Sequence, residues 1–380
     1  MRPQRTVMPA YGPILDRRSL NRALLARQGL LERSATRPLE MIERLAGMQS
    51  QVPNAPYVGL WSRLERFEPD DLAGLLTGRA AVRATLMRGT VHLVSADDAL
   101  AMRSVVRPVI ERGFGASPFA RALAGLDIDA VIAMGRSLLE ERPRTRAELG
   151  RLLREDWPDR DATSLAYAAT YLIPLVQVPP RGVWGRSGQA TWTTMEGWLG
   201  RPPSESPDAD ELVLRYLAAF GPATVSDASA WSGLTALRAT FERLRPRLRT
   251  FTDEQGRELF DLPDGRLPEP STPVRPRFIG EFDNVLVAYA DRSRIIPDEH
   301  RDRILHGLGT PMVLLDGSVR ATWKVVRGAG EAASLEVAPY DPLGTADRRA
   351  IEEEGDRLLR FFAPDAIARE IRFAGQGTRA

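Results

Sequence analysis

The sequence predicts an α+β protein, mainly helical, with three tandem units of like pattern and a strand-rich C-terminal unit. Three observations carry this. Helical periodicity followed by β-rich runs around a turn occurs three times, with a period of about 90 residues, too long for a solenoid and suited to tandem domains. Residues 201–207, rich in Pro and Ser, and residues 263–277, with prolines at 263, 268, 270, 273 and 276, read as linkers. Beyond the second linker the pattern turns to strands. Helices closed by a hairpin make the pattern of a winged helix. The units fall at 16–115, 125–203, 207–264 and 275–380.

Residues 1–15 read as an irregular leader broken by Pro3, Pro9, Gly12 and Pro13. Asp16 can cap a helix from Arg17 to about Leu31, and Thr36 a second one with Pro38 in its first turn. That second helix is expected to end near Gln49-Ser50-Gln51, before Pro53 and Pro56. Helices at Tyr57–Leu64 and Asp70–Leu76 follow, then a hairpin of Val82–Met87 and Thr90–Val94 around Arg88-Gly89. In the second unit Asp127 opens a helix, Thr145-Arg146-Ala147-Glu148 has capping-box form, and a third helix spans Thr163–Leu172. Leu175–Val178, Val183-Trp184 and Ala190–Thr193 read as short strands. The third unit has helix Glu211–Phe220, helix Ala228–Ser232, a turn at Gly233 and helix Thr235–Arg245, a clear helix–turn–helix. Leu248–Thr252 and Arg257–Asp261 make its hairpin. In the last unit Asn284–Ala288, Met312–Leu315, Val319–Val326 and Ser334–Val337 read as strands, with Asp316-Gly317 as a turn. Helix Ala346–Phe362 and strand Glu370–Phe373 complete a β-barrel-like domain with a helix.

Composition narrows the function. The 380 residues, 43% hydrophobic and 27% charged, suit a soluble chain of two to four domains. Having no cysteine excludes disulfides, thiolate metal sites and a thiol nucleophile. Three histidines argue against a histidine-rich metal site, and no metal or organic cofactor is expected. No apolar run is long enough to span a membrane and no secretory signal is visible, so the expected location is the cytoplasm. Net charge is only +2, yet 51 of the 52 basic residues are arginine, Lys324 being the exception. Arginine makes forked contacts to phosphate and base edges, but GC-rich coding yields the same bias, so clustering decides. No phosphate loop, dinucleotide fingerprint, zinc spacing or Gly-x-Ser-x-Gly elbow is present.

Four blocks resemble a known family. They are residues 44–62 (Arg-Leu-Ala-Gly-Met-Gln-Ser-Gln-Val-Pro-Asn-Ala-Pro-Tyr-Val-Gly-Leu-Trp-Ser), 85–94 (Thr-Leu-Met-Arg-Gly-Thr-Val-His-Leu-Val), 281–296 and 315–324. In that order they resemble the bacterial winged-helix proteins that include the AlkZ-like DNA glycosylases, over residues 17 to 375. The resemblance implies three tandem winged helices in a C-shaped arrangement around DNA, with a C-terminal β-barrel. It implies excision of alkylated purines, unhooking of interstrand crosslinks, and a Gln-x-Gln catalytic motif, matched here by Gln49 and Gln51. A Gln-x-Asp branch also exists; Gln51 departs from it.

The residues have their own chemistry. Positions i and i+2 share a side only where the backbone is extended or turning. A Gln amide can hold a water near the anomeric carbon and set its carbonyl dipole toward a developing sugar cation, but it is a poor general base. It therefore suits a base that is already cationic and leaves readily. The alternative is that both glutamines cap a helix end. Arg83, Arg88 and His92 in the first hairpin are candidate DNA contacts, with a plain strand role open for His92. Arg243, Arg245 and Arg247 make a candidate phosphate-binding edge, or a solvated face. Trp184, Trp192 and Trp198 can stack on bases or fill the core. Asp283 and Asp291, with Arg292 and Arg294, read as turn and ion-pair residues, with a paired-carboxylate glycosidase or metal site as the alternative. Lys324 is the only side-chain amine, and a Schiff-base strand cleavage needs an amine; with Lys324 in a distant strand, the N-terminal amine is the one other source. The expectation is a monomeric, monofunctional glycosylase of base excision repair. It would act on double-stranded DNA with cationic N7- or N3-alkylated purines, nucleoid-associated when bound. The rivals are a non-enzymatic winged-helix DNA-binding protein or transcription regulator, and an interaction scaffold.

Overall fold

The computed structural model describes residues 12–327 and 332–374. The first part runs β1 (Ile14–Leu15), α1 (Arg17–Arg27), α2 (Pro38–Arg44), β2 (Met48–Gln49), α3 (Ala55–Arg63), α4 (Pro69–Thr77), β3 (Ala81–Thr85), β4 (Val91–Ser95), α5 (Ala96–Val105), α6 (Arg107–Gly115) and α7 (Pro118–Ala122). Then come α8 (Ile128–Glu141), β5 (Arg144–Thr145), α9 (Arg146–Asp156), α10 (Ala162–Leu172), β6 (Leu175–Gln177), β7 (Thr191–Thr194) and α11 (Met195–Leu199). The third part holds α12 (Ala209–Phe220), α13 (Val225–Ser232), α14 (Arg238–Leu244), β8 (Arg249–Asp253) and β9 (Glu258–Asp261). The last holds β10 (Arg277–Ile279), α15 (Asn284–Val287), α16 (Arg301–His306), β11 (Met312–Leu315), β12 (Ser318–Arg327), β13 (Ala332–Pro339), α17 (Thr345–Phe362) and β14 (Ala368–Phe373).

Local chemistry sets the helix starts. The side chains of Asp16, Asp127, Thr145 and Thr224 each accept from a backbone N–H in the first turn, filling donors that a helix N-terminus leaves open. Thr145 with Glu148, and Thr224 with Asp227, close capping boxes. Thr36 does not cap α2: Arg37 stands at that position and the Thr36 hydroxyl bonds to Ser34.

Several expectations are corrected. The helix expected to run on to Gln49 stops at Arg44, and Gln49 lies in a strand. The turn between them places Ala46 at φ 52° and Gly47 at φ 88°; a Cβ on Gly47 would meet Val94 at 2.6 Å. Asn284–Ala288 is not a strand. Asp283 accepts from the N–H of Val285 and starts the short helix α15. Val183-Trp184 forms part of a turn, and the helix at Thr235–Arg245 is only α14. The leader is regular at its end, where β1 pairs in parallel with β8. The C-terminal strands do not close a barrel: they form an open five-stranded sheet ordered β10-β11-β12-β13-β14. The helix α17 crosses between β13 and β14, which therefore pair in parallel, and that crossover leaves the sheet with two edges.

The first two hairpins join. β3 pairs with β6, giving one six-stranded sheet ordered β2-β4-β3-β6-β7-β5 with β2 at its edge. The largest apolar core runs from α1 through α5, α12 and α13 to Val285–Ala288 and β11. A second core packs α2, α3 and α4 on β11–β13 and α17. The C-terminal part thus packs directly behind β2. Among the described residues no helix is long and apolar enough to cross a membrane.

Candidate active site

The Gln-Ser-Gln segment occupies the edge of the six-stranded sheet. Met48 and Gln49 pair with Leu93 and His92 of β4; the chain then turns, with Ser50 N–H donating to the Val91 carbonyl at 2.7 Å. Asn284 steadies the approach, donating to the carbonyl of Gly47 at 2.7 Å and of Leu45 at 3.3 Å. Behind it, Arg63 of α3 and Asp283 form a forked pair at 2.7 and 2.9 Å, with side chains 0% and 3% exposed. Residues from the 44–62, 85–94 and 281–296 blocks therefore meet around one segment.

The two glutamines are held differently. Gln49 is 9% exposed, and its Oε1 accepts from Arg88 Nη2 at 2.7 Å. Gln51 is exposed, and its Oε1 accepts from the Val91 N–H at 3.3 Å. Among the described residues no carboxylate hydrogen-bonds to either amide.

The hairpin residues face inward. Arg83 is 2% exposed; its Nη2 donates to the Ser50 carbonyl at 2.8 Å and its Nε to Ser50 Oγ at 3.0 Å. It reaches Ser50 from the opposite face of the sheet, because β3 places Arg83 beside Leu93 and Ala84 beside His92. The Pro179–Gly185 turn covers it: a Cβ on Gly182 would meet Arg83 Cδ at 2.8 Å, and Tyr57 Oη donates to the Gly182 carbonyl at 2.9 Å. Burial and then Arg181 bring the Arg83 pKa down to about 10. Arg88 is half-buried, and burial and Arg292 likewise bring it to about 10. His92, 2% exposed, has its Nδ1 at 3.0 Å from the Thr90 carbonyl. Burial, and then the charge of Arg88, push its pKa to about 3, so it is neutral at pH 7. A DNA contact needs an exposed group, and burial of Arg83 and His92 sets them beneath the motif instead.

The third-unit arginines lie elsewhere. Arg243 is paired with Asp210, and Arg245 with Glu242 and Glu258, whose hydrogen bonds raise its pKa. Arg247 is exposed and makes no ion pair among the described residues. The tryptophans pack: Trp192 is 8% exposed, Trp184 tilts against Tyr57, Phe361 and Phe362, and Trp198 lies under the Arg79 guanidinium. Asp291 pairs with Arg257, and a backbone hydrogen bond from Ser293 helps lower its pKa to about 2 against the effect of burial. One surface cluster, Glu299, His300 and Asp341, brings three metal-ligand-type atoms within 4.8 Å, but His300 Nε2 already bonds Asp341 at 2.7 Å. Sequence reasoning missed Asn284 and the Trp231 carbonyl, which accepts from Arg88 Nη1. Asn284 stood in the 281–296 block; nothing in the sequence marked a carbonyl of α13.

The profile of the DNA glycosylase AlkZ-like family matches residues 42–361. The chain belongs to that family. An interstrand DNA cross-link repair glycosylase of Streptomyces sahachiroi is 24% identical over 370 residues, covering 88% of this chain and 94% of its own. The solved structure of Streptomyces sahachiroi DNA glycosylase AlkZ superposes with a TM-score of 0.78 at 22% identity, covering 95% of this chain and all of its own. The AlkZ-like profile spans the Gln-Ser-Gln segment, the first hairpin and α15, the three parts that meet at the edge of the sheet.

Proposed function

We propose that this chain is a monofunctional DNA glycosylase. It hydrolyses the N-glycosidic bond of cationic N7- or N3-alkylated purines in duplex DNA, interstrand crosslinks among them. The observation that carries the reading is the pair of glutamine amides at the sheet edge, anchored by Arg88 and the Val91 N–H with no carboxylate partner among the described residues. Family membership and the name of the Streptomyces relative support it.

The chemistry follows from the residue types. Departure of a cationic base leaves an oxocarbenium-like sugar and a neutral base, so the leaving group requires no proton. His92, neutral at pH 7, offers no strong acid. The exposed Gln51 amide holds a water and presents its carbonyl dipole to the sugar cation as its charge develops, with Gln49 beside it at the same edge. Water adds at the anomeric carbon, releases a proton to solvent and leaves an abasic site. Arg83, Arg88 and His92 serve the motif from within the protein, while Arg243, Arg245 and Arg247 meet phosphates, positioning the duplex without reading its sequence. Lys324 sits on β12, 67% exposed and paired with Glu336; it takes no part. The three helix-and-hairpin repeats act as winged helices that grip one duplex as a monomer.

The test is base release from duplexes carrying one N7-methylguanine or one N7-linked interstrand crosslink. Free base should appear, with strand breaks only after alkali, and Lys324→Ala should change neither product nor rate. A cleaved strand without alkali that vanishes in Lys324→Ala would overturn the monofunctional reading. Salt-sensitive DNA binding with no base release would favour a DNA-binding regulator.

A further inference from the structure

The contacts of Gln49 fix which end of its amide meets a substrate. A guanidinium has donors and no acceptor, so the atom 2.7 Å from Arg88 Nη2 is the carbonyl oxygen. Turning the amide end for end would set NH2 against NH2. The amide nitrogen donates to no described residue, and it is not among the sealed polar atoms lacking a partner, so it is not shut off from solvent.

Arg88 is held in an uncommon way. Its backbone is left-handed, φ 56°, followed by Gly89 at φ 70°, a conformation that a non-glycine residue keeps only when its surroundings impose it. Its second Nη donates to the Trp231 carbonyl near the C-terminal end of α13. Gly233, at φ 81°, lets that helix end come close: a Cβ there would lie 3.3 Å from Arg88 Cα. No carboxylate pairs with the half-buried cation among the described residues. A desolvated charge without a counter-charge is poor stabilisation, so its retention at this point asks for another reason.

We propose that Arg88 is a positioning residue: it clamps the Gln49 carbonyl against the protein, so that Gln49 meets the alkylated nucleotide as a hydrogen-bond donor through its NH2 group. The assignment rests on the glycosylase reading above. Gln51 is the complement. Its carbonyl takes one long contact, 3.3 Å from Val91 N–H, and its side chain is exposed, which leaves a lone pair for the water or the sugar cation. A donor at Gln49 suits the leaving base. As the glycosidic bond breaks, its electron pair returns to the purine, and the ring nitrogens and exocyclic oxygen become better acceptors. A hydrogen bond to them is stronger in the transition state than in the ground state, which is the condition for catalysis.

Gln49→Glu separates the two ends of the amide, because a carboxylate still accepts from Arg88 but has nothing to donate. The experiment measures single-turnover release of N7-methylguanine from a duplex, and Kd for the same duplex by anisotropy, at pH 7.5. Arg88→Ala should lower the rate about 10- to 100-fold with Kd changed less than about threefold. Arg88→Lys, keeping one donor toward Gln49, should recover part of that loss, and Gln49→Glu should fall as far as Gln49→Ala. A wild-type rate in Gln49→Glu overturns the donor assignment. So does Arg88→Ala with an unchanged rate at saturation, whether its Kd is unchanged or weakened; the weakened case makes Arg88 a phosphate contact. Should Arg88→Ala not fold, the Gln49→Glu comparison decides alone. No release by wild type from any alkylated duplex overturns the glycosylase reading itself, and the assignment with it.

Discussion

Replacing Arg83 with methionine asks whether the Gln49–Gln51 turn is held from beneath. The guanidinium donates to the Ser50 carbonyl and hydroxyl at 2.8 and 3.0 Å. Two hydrogen bonds from a charged donor contribute about 1.5–3 kcal/mol each. Against them stand desolvation and then the charge of Arg181, which take the pKa from 12.5 to about 10; at 1.36 kcal/mol per pKa unit that is a cost of about 3 kcal/mol. Nη1, buried without a partner, adds to the cost. Gain and cost nearly cancel. Methionine keeps most of the buried volume, so stability should change by no more than about 2 kcal/mol, or about 3 °C in melting temperature for a chain this long. The rate should respond far more. A turn shifted by about 1 Å loses on the order of 100-fold in a positioned reaction. Single-turnover base release, with a thermal melt and DNA affinity on the same preparation, checks both parts. A methionine variant that melts normally and reacts at the wild-type rate would refute the reasoning; the bond from Ser50 N–H to Val91 would then be enough to hold the turn.

Two further outcomes are expected. Asp283→Asn keeps the shape of the α15 cap but leaves Arg63 buried beside a neutral group; it should cost about 3–5 kcal/mol, a fall on the order of 5 °C in melting temperature, and an unchanged melt would show that the pair contributes nothing. His92 binds a proton less readily folded, at about 3, than unfolded, at 6.5, so its contribution is complete above pH 6.5 and is lost as pH falls toward 3. At pH 5 that loss is about 2 kcal/mol relative to pH 7; urea midpoints of wild type and His92→Gln at the two pH values should diverge by that amount, and parallel curves would contradict the buried, neutral histidine.

Much of this was legible in the sequence where the cause is local. Asp16, Asp127 and Thr145 marked helix starts because a short polar side chain can reach the next two or three N–H groups, whereas the cap at Thr224 went unread and its helix starts at Val225, not Ala228. The hairpin at Arg88-Gly89 and the turn at Asp316-Gly317 were legible from turn chemistry. Elsewhere the cause is distant. The strand Met48–Gln49 exists only because β4 pairs with it, and a two-residue strand has no periodicity to read. The four residues Asn284–Val287, three of them apolar, fit strand or helix alike, and the cap from Asp283 decided. The open C-terminal sheet turned on a parallel crossover through α17 that alternation alone cannot reveal. The helices after Ser95 were overlooked although Ser95 caps Asp98, a signal that was present. At the site, the glutamines stood out only through the family resemblance, and the inward direction of Arg83 was not legible, since its cover depends on the joining of β3 to β6.

The most direct measurement compares wild type with the Gln49→Ala, Gln51→Ala double variant on a duplex carrying one N7-methylguanine, reading alkali-labile breaks against time and affinity for the same duplex. The account expects breaks with wild type, and their loss in the double variant while DNA binding is retained. Excision at the wild-type rate by the double variant would contradict it and move the chemistry away from the glutamine pair.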